Sequence, residues 1–131
     1  MKDQLKIGTI GEERFVVTER HLIDFAHDGM PEILSTPSLI WFMEHAAINA
    51  MLPLCHSGKS TVGVGLNVEH LAATPAGLEV VCRARVIYVD GPLVSFQIEA
   101  HDPYELIARG THKRRLIDVA RLAKRVNAKQ G

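Results

Sequence analysis

The chain has 131 residues, 47% of them hydrophobic and only 5% aromatic, with 15 Lys and Arg balancing 15 Asp and Glu. That length suits a single domain, 1–131, with one modest core built from Val, Ile, Leu and Ala. Few rings are left for stacking on bases, which argues against a nucleic-acid partner. The longest apolar stretch, 39–54, is interrupted by Glu44, His45 and Asn49 and falls short of the roughly 20 residues of a membrane span.

Residues 1–20 carry Lys2, Asp3, Lys6, Glu12, Glu13 and Arg14 without an apolar run, so a secretory leader is not expected and a cytoplasmic location is. The β-branched centre of 13–19 predicts a first strand, 21–26 a short strand or a turn of helix, and 27–35 a loop broken by Asp28-Gly29 and Pro31. Thr36 followed by Pro37 is the clearest helix start: Thr can serve as N-cap, and Pro is tolerated where its missing N–H would be unpaired anyway. The helix should run to about Leu52, where Pro53 and Gly58 stop it. From there the apolar period changes to two. Segments 61–71, 78–89, 93–101 and 105–117 read as long antiparallel strands, followed by a short C-terminal helix. One long apolar helix with a strand before it and four after is an α+β layout in which the sheet must cover the helix. An antiparallel sheet wrapped around one central helix is the hotdog fold, and its open sheet edge favours pairing two subunits.

The neutral total hides an asymmetry. Lys113, Arg114, Arg115, Arg121, Lys124, Arg125 and Lys129 crowd into the last stretch, where Asp118 is the sole acid. Such an end suits the phosphates of a nucleotide-like ligand, or is simply a solvated helical face with cations at its last turn. Cys55 and Cys82 lack metal or redox spacing and read as packing thiols.

Three polar side chains do not fit their surroundings. On the helix, at about 100° per residue, Ser38, His45 and Asn49 form a polar stripe, while Glu44 lies on the side of Ile40, Ala47, Ile48 and Met51. A carboxylate there is satisfied by a structural hydrogen bond, lies on an apolar edge left solvent-exposed in the monomer, or is kept for chemistry. His70 continues the row Val62, Val64, Leu66 and Val68 under strict period-2 alternation, as a packed side chain or as a general acid/base. Gly63 and Gly65 then fall on the opposite face, allowing close approach of a ligand or forming a β-bulge. On the last strand His112 and Arg114 are in phase with Ala108 and Leu116, so the Arg114 guanidinium faces the apolar side and requires an anion, such as Glu44 or a substrate group. No metal-ligand spacing, dinucleotide fingerprint, Walker A run or Gly-x-Ser-x-Gly elbow occurs, so no metal or cofactor is expected.

Four blocks keep a characteristic mutual spacing: Thr36 with Glu44 eight residues on, the run 68–78 (VEHLAATPAGL), the run 100–102 (AHD) and the run 110–114 (GTHKR). On these the chain resembles the fluoroacetyl-CoA thioesterase type of hotdog protein. The resemblance implies hydrolysis of an acyl-CoA to free acid and CoA, a homodimer or a tetramer with its sites at the subunit interface, and no metal. It matches Thr36, Glu44 and His70 to the catalytic Thr, Glu and His, and Gly63 and Arg114 to positions that contact substrate. One departure bears on the acyl group. The loop that carries aromatic side chains in the fluoroacetyl-specific members reads His27-Asp28-Gly29-Met30-Pro31 here, which points to a general thioesterase of short acyl groups.

On this reading Glu44 is the nucleophile or the base that activates water, His70 assists proton transfer to the departing thiolate, and Thr36 orients Glu44 or the carbonyl. The rival from another class is a non-catalytic acyl-CoA-binding hotdog module. A hotdog hydratase is a third reading, and the His/Asp pattern it relies on is missing.

Overall fold

The computed structural model describes residues 5–131, so the part of the N-terminal reading that rests on Lys2 and Asp3 lies outside the described residues. The elements follow the order β1 (Ile10–Val16), α1 (Thr36–Met51), β2 (Lys59–His70), β3 (Glu79–Asp90), β4 (Leu93–His101), β5 (Leu106–Asp118) and α2 (Val119–Gln130). All strand neighbours are antiparallel, in the order β1-β3-β4-β5-β2. This is the α+β hotdog arrangement expected from the sequence, a curled sheet around α1 with a short helix at the C-terminus.

The helix and the sheet meet through two matched periodicities. Leu39, Met43, Ala46, Ala47, Ala50 and Met51 recur at three and four residues and are all buried. Facing them, Val80, Cys82, Ala84 and Val86 alternate along β3 with Arg83 and Arg85, which stay in solvent. Truncating a fully buried side chain such as Met43 to Ala would cost about 2–5 kcal/mol from lost transfer energy and the cavity left behind. β1 approaches α1 so closely that a Cβ on Gly11 would collide with the Ala46 carbonyl and the Ala50 amide. The same contact is fastened by Phe15 stacking on Phe42, with ring centroids 3.7 Å apart and 8° between planes, and by Asn49, which donates to the Glu12 carbonyl at 2.7 Å.

Some boundaries differ from expectation. The first strand starts at Ile10 because Gly11 and Glu12 pair with Ala84 and Arg83 of β3, where the charged pair points away from the core. Segment 21–26 is not a strand: a short 3-10 turn at Glu19–His21 leads into one isolated bridge, Leu22 with Leu34. α2 is capped by Asp118, whose side chain accepts from the Arg121 amide, and it buries no residue. Among the described residues no helix is long and apolar enough to cross a membrane.

Candidate functional site

The start of α1 departs from the expected cap, with a consequence for chemistry. Ser35, not Thr36, is the N-cap: its backbone is extended and its hydroxyl accepts from the Ser38 amide at 3.2 Å. Thr36 therefore sits in the first turn with its hydroxyl free for another partner, and Oγ1 lies 2.8 Å from His70 Nδ1 at the end of β2. The other ring nitrogen, His70 Nε2, is buried without a hydrogen-bond partner. Burial pushes the His70 pKa below 6.5, partly offset by a backbone contact at Ala72, so the ring is neutral near pH 7. A neutral imidazole next to a hydroxyl can donate or accept at Nδ1, and Nε2 then takes the opposite role.

β2 departs from strict alternation. Gly63 pairs with Arg114 of β5 while Gly65 pairs with Lys113, which leaves Val64 as the extra residue of a bulge. A bulge moves every residue beyond it to the other face. Gly63 thus lies on the same inner face as His70, contrary to the strict period-2 reading, whereas Val64 is exposed at the edge. A Cβ on Gly63 would lie 2.7 Å from Glu44 Oε2, so any side chain there would push the carboxylate aside.

Glu44 is not sunk among apolar neighbours. Its side chain is 35% exposed and paired with Arg114, which is 4% exposed, through Nη1 and Oε2 at 2.8 Å. Arg114 is held by protein on all three nitrogens: Nε donates to Thr61 Oγ1 at 3.1 Å, Nη2 to the Thr61 carbonyl at 3.1 Å, and Nη1 also meets His112 Nε2 at 3.2 Å. A buried guanidinium requires this compensation, since an unpaired buried cation is strongly destabilising. Ile40, Glu44, Gly63, Gly65, Leu66 and His112 line an open cleft of about 240 Å³ beside the pair.

The five nominated residues form two groups in one chain. Thr36 meets His70, and Glu44 meets Gly63 and Arg114. Eight residues of helix separate Thr36 from Glu44, about 12 Å of backbone at 1.5 Å rise per residue, and no hydrogen bond joins the two groups directly. Two participants were not nominated from the sequence. His112 had a readable signal, its phase with Arg114. Thr61 had none, because its partner is set by the bulge. Cys82 is buried, with its thiol pushed up to about 12 by desolvation and then by Glu13, and so stays a packing group. Among the described residues no cluster of three or more His, Cys, Asp or Glu could hold a metal.

Residues 17–120 match the family described as fluoroacetyl-CoA-specific thioesterase. The fluoroacetyl-CoA thioesterase of Streptantibioticus cattleyicolor is 35% identical over 98% of this chain and 97% of its own length. A solved structure of a fluoroacetyl-CoA thioesterase superposes with a TM-score of 0.88 at 30% identity, covering 96% of this chain and 98% of that one. A variant of that enzyme solved with acetyl-CoA gives 0.87 at 29% identity, covering 96% and 99%.

Proposed function

Because this chain belongs to the fluoroacetyl-CoA-specific thioesterase family and is by that membership a thioester hydrolase, we propose that it cleaves a small acyl-CoA to the free acid and CoA in a site completed by two copies of the chain. The observation that carries this reading is the split of the site. Thr36 with His70, and Glu44 with Arg114, are complete as local pairs, start about 12 Å apart along α1, and both border β2.

β2 is an open edge of the sheet, and Val64 and Leu66 on it are exposed. Unpaired edges and contiguous apolar surface favour association, and a two-fold axis pairs like edges antiparallel. Antiparallel pairing lays the His70 end of one β2 along the Gly63 half of its partner, which is how Glu44 of one protomer would reach the Thr36–His70 pair of the other. A homodimer is the minimal unit, and a tetramer is compatible with the same interface.

The chemistry follows from the side chains. With Oε2 held by Arg114, Glu44 keeps Oε1 for the thioester carbon, as nucleophile or as the base that takes a proton from water. When the Thr36 hydroxyl donates to Nδ1, His70 Nε2 carries a proton and delivers it to the departing CoA sulfur. The positive end of α1 at Thr36 favours the negative charge developing on the carbonyl oxygen. Gly63 leaves room for the thioester beside Glu44, and the Arg114 guanidinium sets the local field. Hydrolysis needs only water, so no cofactor enters.

The acyl group we assign is short, and not fluoroacetyl in particular, because the loop before α1 presents Met30 and no Phe within 27–31. The solvated cations of α2, Arg121, Lys124, Arg125 and Lys129, suit the CoA phosphates. The cytoplasm, where both thiols stay reduced, is the matching compartment.

Release of free CoA thiol from a panel of short acyl-CoAs tests the reading. Wild type should turn over at least one of them, and Glu44→Gln and His70→Ala should each lose most of that rate. Gln is the informative replacement because its carbonyl still accepts from Arg114. Unchanged turnover in both variants overturns the site, and tight acyl-CoA binding without CoA release would favour a binding module.

A further inference from the structure

His112 is 4% exposed, on the inner face of β5, and both of its ring nitrogens are engaged. Nδ1 lies 2.8 Å from the Gly65 carbonyl oxygen. A carbonyl only accepts, so Nδ1 carries the proton, and the neutral ring presents a bare Nε2. Arg114 Nη1 donates to that nitrogen at 3.2 Å and, with its second hydrogen, to Glu44 Oε2 at 2.8 Å. Desolvation and the neighbouring Arg114 cation hold the ring in this neutral form, opposed by the Gly65 contact and Glu44.

The two contacts of His112 serve the same place. Gly65 closes the bulge that turns Gly63 inward, and the ring edge and the guanidinium both lie 3.4 Å from where a Gly63 Cβ would be. Thr61 fixes the Nε and Nη2 side of Arg114. His112 fixes the Nη1 side, the side that touches Glu44. With both nitrogens taken, the ring has no free site for a substrate proton, so it is not itself a catalytic base.

We propose that His112 is a positioning residue for Glu44, locking the bulge at Gly65 and the Arg114 guanidinium into one frame that aims the carboxylate at the thioester. The proposal rests on the hydrolase reading above and adds a residue to it.

Three variants and one spectrum test it. In His112→Phe, ring volume is kept and both contacts are lost; kcat should fall about a hundredfold, the scale expected for a misplacement of about 1 Å, with KM little changed because the loss lies in the chemical step. In His112→Gln, the side-chain carbonyl reaches the position of Nε2 and accepts from Arg114, so most of kcat should return. In His112→Asn, only the contact to Gly65 is restored, so the thermal midpoint should recover more than kcat. Nitrogen-15 ring spectra of the wild type should show His112 protonated at Nδ1 and bare at Nε2. An Nε2-protonated ring overturns the proposal, as does a His112→Phe enzyme with wild-type kcat, or a Gln variant as slow as the Phe variant with an equal loss of thermal midpoint. A wild type inert to every acyl-CoA overturns the hydrolase reading and this role with it; an active wild type with an unimpaired Phe variant overturns this role alone.

Discussion

Thr36 Oγ1 stands 2.8 Å from His70 Nδ1 because Ser35, one residue earlier, takes over the capping of α1. Two adjacent hydroxyls thereby have separate duties, one to the fold and one to the site. Both Ser and Thr are good N-caps, and which of them caps is decided by the chain path: the Ser35 amide donates to the His21 carbonyl at 2.8 Å, and the Leu34 amide to the Thr74 carbonyl at 2.8 Å.

That division predicts opposite phenotypes for neighbouring substitutions. Ser35→Ala should lower stability by about 1 kcal/mol, the usual value of an N-cap, and leave kcat close to wild type once folded. Thr36→Val should leave the thermal midpoint nearly unchanged and reduce kcat strongly, while Thr36→Ser retains most activity. Denaturant melts beside CoA-release kinetics check both, and a Thr36→Val enzyme of normal kcat would remove Thr36 from the site.

A site shared between copies predicts complementation. Glu44→Gln and His70→Ala are each inactive alone, but a mixed dimer holds one site with an intact Glu44 from one copy and an intact His70 from the other. Random reassortment then restores about a quarter of wild-type activity, since half the dimers are mixed and each has one working site. A site contained within one chain gives no recovery on mixing, so the assay separates the two arrangements.

Much of this was legible in the sequence, for identifiable reasons. The helix and the strands were readable because the apolar period changes from 3.6 to 2 at Gly58 and Pro and Gly mark the ends. Glu44 and Arg114 stood out because each breaks an apolar phase, and they prove to be each other's partner at 2.8 Å. The bulge at Val64 was not decided by the sequence. Strict period-2 alternation carries a fixed phase through 61–71 and sets Gly63 opposite His70, whereas the bulge, which Gly63 and Gly65 equally suggest, adds one residue and brings both to the inner face. The N-cap falls one residue before Thr36 because Ser35 and Thr36 have the same capping chemistry and only the tertiary path distinguishes them.

Gly63→Ala tests the corrected face directly. A methyl group 2.7 Å from Glu44 Oε2 must displace the carboxylate, and a displacement of about 1 Å can cost a hundredfold in rate. The backbone of Gly63 is not in the left-handed region, so the thermal midpoint should change little. Were Gly63 on the outer face, the methyl would meet solvent and turnover would be unaffected.

Asp102 predicts a second kind of defect. Its carboxylate is buried and accepts from Thr74 Oγ1 at 3.0 Å and from the Tyr104 and Glu105 amides at 2.8 and 3.0 Å. Thr74 in turn holds Leu34, two residues before Thr36. Asp102→Ala leaves the buried Thr74 hydroxyl without its acceptor, at about 1–3 kcal/mol if unpaired, whereas Tyr104 and Glu105 are exposed and their amides can turn to water, so the melt should shift down by a few degrees. Asp102→Asn keeps an acceptor for the two amides and should fall between Ala and wild type. Equal midpoints for Ala and wild type would show that the brace carries no weight.

The histidines predict the pH dependence of stability. Burial pushes His70 and His112 below 6.5 in the folded chain, and His21 is lowered in the same direction by burial and by Arg20. Between those lowered values and 6.5 the unfolded chain binds more protons than the folded one, so stability rises with pH across that window and levels off above it. The thermal midpoint should therefore be flat from about pH 7 to 8 and fall as pH drops through about 6.5 toward 5, before most carboxylates titrate. His112→Gln removes one of the buried titrating rings and should make that fall shallower, even if its midpoint at pH 7 is lower. A midpoint that rises on acidification, or a slope identical in wild type and His112→Gln, would contradict the buried neutral state of His112.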